Sequence, residues 1–143
     1  MKPSIVVVDY GMGNLRSVSK ALEKAGARVI ISSKPREILR ADKVIVPGVG
    51  AFKDAMAELK SRRLIEPIKE FAGKGRPFLG LCLGLQLIFS KSEEGGMSKG
   101  LDLLKGRVVK FRSRRLKIPH MGWNQLKMRG QGTGDRAQFF SEP

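Results

Sequence analysis

The sequence predicts an α/β protein built on a mostly parallel sheet flanked by helices. Three observations predict it: short β-branched strands recur, each is followed by apolar residues at helical spacing, and glycines punctuate the junctions. Ile5-Val6-Val7-Val8 is the first strand, ending at Asp9, and Gly11 and Gly13 turn the chain into a helical pattern from Leu15 through Leu22. Gly26 stops that helix, Arg28 to Ile31 forms a second strand, and Pro35 to Leu39 is a helical turn. Lys43 to Val46 is the third strand. After the loop Pro47-Gly48-Val49-Gly50, Phe52, Met56 and Leu59 recur at helical spacing, and Leu64, Ile68 and Phe71 continue it until Gly73 and Gly75. Pro77 to Leu81 is the fourth strand with Cys82 at its end, and Gly84 to Phe89 has the apolar content of a helix packed on the sheet. Arg107 to Phe111 is strand-like with no clear helix after it, which predicts an antiparallel excursion. In such sheets ligands bind outside the carboxyl ends of the strands, so 9–14, 47–50 and 81–83 are the segments to expect at a site.

With 143 residues the chain fits one domain with a real core. Its longest apolar runs fall far short of the roughly 20 residues that cross a bilayer. Met-Lys-Pro-Ser leads directly into a strand, without the pattern of a secretory signal, so a soluble cytoplasmic protein is expected. The single cysteine cannot form an internal disulfide, which agrees with a reducing compartment. The net charge of +15 is uneven, with ten Lys or Arg between Lys99 and Arg129 against the single acid Asp102. Such a block favours phosphates or acidic surfaces. No nucleic-acid-binding motif accompanies it, so a basic solvated face is the expected reading and nucleic-acid binding the alternative.

Gly80-Leu81-Cys82-Leu83-Gly84 sets a thiol between a buried strand and a helix, the context of a nucleophile elbow. A residue at that turn takes a strained backbone, and small neighbours let strand and helix close up while the thiol stays exposed. A helix N-terminus beside the sulfur also favours thiolate over thiol. The competing reading is an inert core cysteine, since free Cys is among the most buried residues. Thiolate attack on a carbonyl makes an oxyanion that needs fixed N–H donors. The Leu83 amide follows the nucleophile, and Gly50 lies in a loop whose glycines permit unusual peptide orientations. Gly11-x-Gly13 after the first strand suggests a dinucleotide fingerprint, but Arg16 occupies the third glycine position and Ser32-Ser33 stand where an acid would end the second strand. No cofactor is expected.

Five motifs occur in order: Asp9-Tyr10-Gly11-Met12-Gly13-Asn14-Leu15, Pro47-Gly48-Val49-Gly50-Ala51-Phe52, Gly80-Leu81-Cys82-Leu83-Gly84-Leu85-Gln86, Ser92-Glu93-Glu94-Gly95 and Pro119-His120-Met121-Gly122-Trp123-Asn124-Gln125. Together they resemble the class I, triad-type glutamine amidotransferase subunits of imidazole glycerol phosphate synthase. The elbow alone indicates the broad amidotransferase class, whereas the first and last motifs select the histidine-pathway member. The resemblance implies a flavodoxin-like fold and a glutaminase that forms a γ-glutamyl thioester on Cys82. It also implies that the ammonia passes to a separate cyclase, a β/α barrel. On the matching positions it implies Cys82 as nucleophile, Gly50 in the oxyanion strand, and Gln86 and Glu94 at the glutamine substrate. Asn14, Pro119, His120, Met121, Gly122, Trp123 and Asn124 match surfaces near the barrel. Read without the resemblance, Gln86 is an ordinary helical polar residue, Glu94 a loop acid and Trp123 a core aromatic.

The family completes its triad with a His and a Glu near the C-terminus. The only histidine here is His120, which falls in the partner-facing motif. The expectation is therefore a partial amidotransferase domain over residues 1–128, lacking its C-terminal part, with 129–143 a divergent, loosely ordered tail and turnover impaired.

Overall fold

A computed structural model of the chain describes residues 3–113, 115–119 and 121–125. It divides into two compact units, Met1–Lys110 and Phe111–Pro143.

The first unit is built on four strands, β1 (Ser4–Val8), β2 (Arg28–Ser32), β3 (Lys43–Gly48) and β4 (Phe78–Cys82), in the order β2-β1-β3-β4 with every neighbouring pair parallel. Parallel neighbours require crossovers, and five helices are threaded among the strands: α1 (Leu15–Lys24), α2 (Pro35–Arg40), α3 (Phe52–Ser61), α4 (Ile65–Gly73) and α5 (Leu83–Leu87). The central strands β1 and β3 read as continuous apolar runs because both their faces are covered. Val6, Val8, Val44 and Val46 point into a core shared with Ile38, Phe52, Leu59, Ile68, Phe71 and Leu87. Ile5, Val7 and Ile45 point the other way, against Leu15, Val18 and Leu22 of α1.

Strand order fixes where a site can form. From β1 the chain adds β2 on one side and then returns to lay β3 on the other, so the sheet's direction of growth reverses between β1 and β3. Connections that leave the carboxyl ends on opposite sides of such a switch point open a crevice. Residues 9–14 leave β1 and residues 49–51 leave β3 at that end, with Cys82 ending β4 beside them.

Beyond α5 the structure departs from the sequence-based expectation. The predicted helix from Gly84 to Phe89 is α5 alone, ending at Leu87, and Phe89–Ser92 is a strand, β5. It joins β6 (Ser98–Lys99) and β7 (Leu104–Val108) in a second sheet of order β6-β5-β7. The strand expected over Arg107 to Phe111 thus begins earlier and ends at Val108. The antiparallel excursion is the β5–β6 pair, whereas β7 runs parallel to β5. Gly100 is packed so tightly on this sheet that a Cβ there would overlap the Phe89 carbonyl oxygen.

In the second unit, the Ser113 hydroxyl accepts hydrogen bonds from the amides of Arg115 and Leu116 at 3.2 and 2.8 Å, closing a turn. Its described residues form no helix or strand. The expected loose tail, 129–143, lies outside the described residues. Among the described residues no helix is long and apolar enough to cross a membrane.

Candidate active site

Cys82 is the last residue of β4 and the cap of α5, and its backbone sits at φ 55° and ψ −117°. Few side-chain-bearing residues adopt positive φ, and holding one there costs on the order of 1–3 kcal/mol. The reversal of direction from strand to helix within a single residue is what drives Cys82 into it. The thiol is exposed, which excludes the inert core cysteine.

The two flanking glycines make this turn possible. A Cβ on Gly84 would overlap the Val46 carbonyl oxygen of β3, because α5 lies directly against that strand. A Cβ on Gly80 would stand 2.6 Å from the Gly84 carbonyl oxygen and 2.7 Å from Ile88 Cδ1. The helix can therefore start immediately after the thiol only if both positions lack a side chain.

Register brings the oxyanion candidates to the sulfur's neighbourhood. Gly48 pairs with Cys82 across the β3–β4 ladder, so Val49 and Gly50 leave the sheet beside the thiol. Gly50 lies at φ 93°, in the region glycine alone reaches without strain, and Val49 is exposed. Leu83 is the first residue of α5, so its N–H belongs to the turn whose amides lack intrahelical acceptors.

Glu94 reaches the same loop from the far side. Its carboxylate accepts the Phe52 N–H at 2.9 Å, at the first residue of α3 and two residues beyond Gly50. The acid is itself oriented, because the Glu94 amide donates to the fully buried Ser92 hydroxyl at 3.1 Å. Gln86 is half-buried on α5, one turn along from Cys82.

The structure thus places Cys82, Leu83 and Gly50 at the ends of two paired strands, with Gln86 further along α5 and Glu94 bonded to Phe52 two residues beyond Gly50. Asn14 lies at the same end of the sheet and caps α1, its side-chain oxygen accepting the Ser17 amide at 3.1 Å. Pro119, Met121, Gly122, Trp123 and Asn124 are exposed in the second unit, so Trp123 is not a core aromatic. His120 lies outside the described residues.

One neighbour of the site carries no role in the sequence-based reading. Tyr10 is fully buried, and its hydroxyl donates to the Pro47 carbonyl at 2.7 Å. Burial first, and then the negative charge of nearby Cys82, push its phenol up to about 12. The available signal was the only tyrosine of the chain standing immediately before Gly11-x-Gly13.

A strained elbow carrying an exposed thiol thus stands at the strand end where α5 starts at Leu83 and the Val49–Gly50 loop leaves the neighbouring strand. The chain belongs to the class-I glutamine amidotransferase family, whose model matches residues 6–140. Within it, the chain is 59% identical over 127 residues to the imidazole glycerol phosphate synthase subunit HisH of Synechococcus elongatus, covering 88% of this chain and 58% of that protein. It is 56% identical over 128 residues to the same-named subunit of Thermosynechococcus vestitus, covering 89% of this chain and 61% of that one. The chain therefore spans about 60% of the length of these curated relatives. A solved structure assigned to peptidase E of Listeria monocytogenes EGD-e shares the fold at a TM-score of 0.54 and 16% identity, over 62% of this chain and 50% of that one.

Proposed function

We propose that this chain carries the nucleophile and oxyanion machinery of the glutaminase subunit of imidazole glycerol phosphate synthase, acting in histidine biosynthesis in the cytoplasm. One observation carries the reading: Cys82 is an exposed thiol at φ 55° on a strand-to-helix elbow, directly opposite Gly48. The Cys82 thiolate attacks the γ-carbonyl carbon of glutamine. The resulting oxyanion is met by the Leu83 and Gly50 amides, with Gln86 and Glu94 holding the substrate. Collapse of the tetrahedral species breaks the C–N bond as a general acid protonates the departing nitrogen, ammonia leaves, and water then hydrolyses the thioester. The ammonia passes to the cyclase, a β/α barrel docked on Asn14 and on residues 119–124.

The proton for ammonia requires an acid, and the family's His and Glu have no counterpart in these 143 residues. Turnover of glutamine by this polypeptide is accordingly impaired at the step in which ammonia leaves, while acylation of Cys82 by an activated γ-glutamyl ester, whose leaving group needs no proton, remains available. The test is glutamine-dependent ammonia release with the cyclase present, for this chain and for one extended by the C-terminal segment of a relative. Activity in the extended chain alone, lost on Cys82→Ala, supports the reading. Robust turnover by the 143-residue chain overturns the impairment, and turnover that survives Cys82→Ala overturns Cys82 as the nucleophile.

A second reading rests on the basic block, where Lys99, Lys105, Arg107, Lys110, Arg112, Arg115 and Lys117 are all exposed. Nucleic-acid binding would show as nanomolar, sequence-selective affinity at physiological salt, whereas a solvated basic face gives weak and steeply salt-dependent binding.

A further inference from the structure

The segment from Pro47 to Phe52 is held at both ends and in the middle by residues distant in sequence. At its far end the Glu94 carboxylate accepts the Phe52 amide. In the middle, Met12 lies against Gly50, whose added Cβ would meet Met12 Cε at 3.0 Å. At its near end the Tyr10 hydroxyl donates to the Pro47 carbonyl at 2.7 Å, and the same hydroxyl would be 2.7 Å from a Cβ on Gly48. Tyr10 and Gly48 therefore fit each other without slack. Gly48 in turn is opposite Cys82 in the ladder, and the gripped Pro47 carbonyl lies two residues from Val49 and three from Gly50.

We propose that Tyr10 is a positioning residue for acyl transfer: by fixing the Pro47 carbonyl, it sets the direction in which the following peptides present the Gly50 amide to an oxyanion formed at Cys82. This rests on the reading of Cys82 as the nucleophile. A hydrogen bond from a fully buried donor to a carbonyl fixes that peptide plane, and removing the donor leaves a polar group short of a partner in a dry site. Gly50, at φ 93°, has the backbone freedom to rotate away once its anchor is lost. Oxyanion stabilisation is steeply sensitive to such rotation, since a donor must lie at about 2.7–3.1 Å from the developing charge.

Tyr10→Phe keeps the ring and its packing and deletes the hydrogen bond, and two reactions of the one cysteine separate positioning from general damage. Acylation by an activated γ-glutamyl ester passes through an oxyanion, whereas alkylation by iodoacetamide is a displacement at carbon that needs none. The expected result for the 143-residue chain is a loss of about tenfold or more in acylation rate with alkylation changed less than about twofold. A second measurement, amide hydrogen exchange, should show about tenfold faster exchange at Phe52, whose amide is bonded to Glu94 at the end of this segment, with β1 and β2 unchanged. An unaltered ratio of the two rates overturns the proposal, as does exchange that rises uniformly across the sheet, which would make Tyr10 a packing residue. Should the unsubstituted chain be alkylated but never acylated, the reading of Cys82 fails instead. The loop exchange in Tyr10→Phe then decides alone whether Tyr10 holds the segment.

Discussion

The Glu94 carboxylate binds the Phe52 amide at 2.9 Å across a sequence separation of 42 residues, tying the turn after β5 to the first turn of α3. An acid at that point satisfies one of the helix's unpaired amides and complements its dipole. Phe52 also follows the loop that holds Gly50, so this carboxylate fixes a helix start two residues beyond the proposed oxyanion residue.

Glu94→Ala is expected to cost about 1 kcal/mol of stability, within the range for losing a helix-capping group, and Glu94→Gln about half of that because it still accepts a hydrogen bond. Denaturant unfolding of the two variants checks the order. If Glu94 also holds glutamine, the concentration of γ-glutamyl ester needed for half-maximal acylation rises in both.

Cys82 at φ 55° predicts an inverted ranking of two small substitutions. At most positions Gly is less stable than Ala by roughly 0.5–1 kcal/mol. Here Cys82→Gly should be the more stable of the two by about 1 kcal/mol, because strain of about 1–3 kcal/mol is released. Equilibrium unfolding of Cys82→Ala and Cys82→Gly is the comparison, and a more stable Ala variant would show that the elbow is not strained.

Tyr10 gives a pH-dependent expectation that is unusually clean because the chain has one tyrosine. Its phenol lies near 12 in the folded protein against the ordinary 10, so between these values the unfolded chain loses a proton that the folded one keeps. Tyr10's contribution to stability is constant below about pH 10 and falls as pH rises toward 12, by on the order of 2–3 kcal/mol in all. Phenolate absorbance should titrate near 12 in the native chain and near 10 in denaturant, and Tyr10→Phe should flatten this part of the stability curve.

Leu79 is 49% exposed on β4, which is an edge of the four-stranded sheet among the described residues. An apolar edge invites pairing between copies. Leu79→Lys should lower concentration-dependent light scattering while moving the thermal midpoint by no more than a degree or two, since little buried area is lost.

How far the sequence revealed this molecule differs along the chain for physical reasons. In β1 and β3 the strands are buried on both faces, β2 and β4 are apolar though partly exposed, and the helices carry one apolar stripe, so pattern and structure coincide from β1 to β4. After Cys82 that logic weakens. Leu85, Leu87, Ile88 and Phe89 continue a helical pattern past the point where α5 ends, and the strand at Phe89 is fixed by partners in β6 and β7. β7 is largely exposed, so alternation could not tell Leu104–Val108 from a register three residues later. At the site, Cys82 and its glycines were legible because the elbow's steric demands are local. Tyr10 was not, because its acceptor lies 37 residues away and only the folded sheet brings them together.

The most direct test of Cys82 as an acylable nucleophile is the intact mass of the chain after brief exposure to an activated γ-glutamyl ester. With a single cysteine, one adduct has one possible thioester position. The expected result is a single γ-glutamyl addition that hydroxylamine removes and that Cys82→Ala abolishes. A chain that iodoacetamide alkylates fully but the ester leaves unmodified would contradict the account.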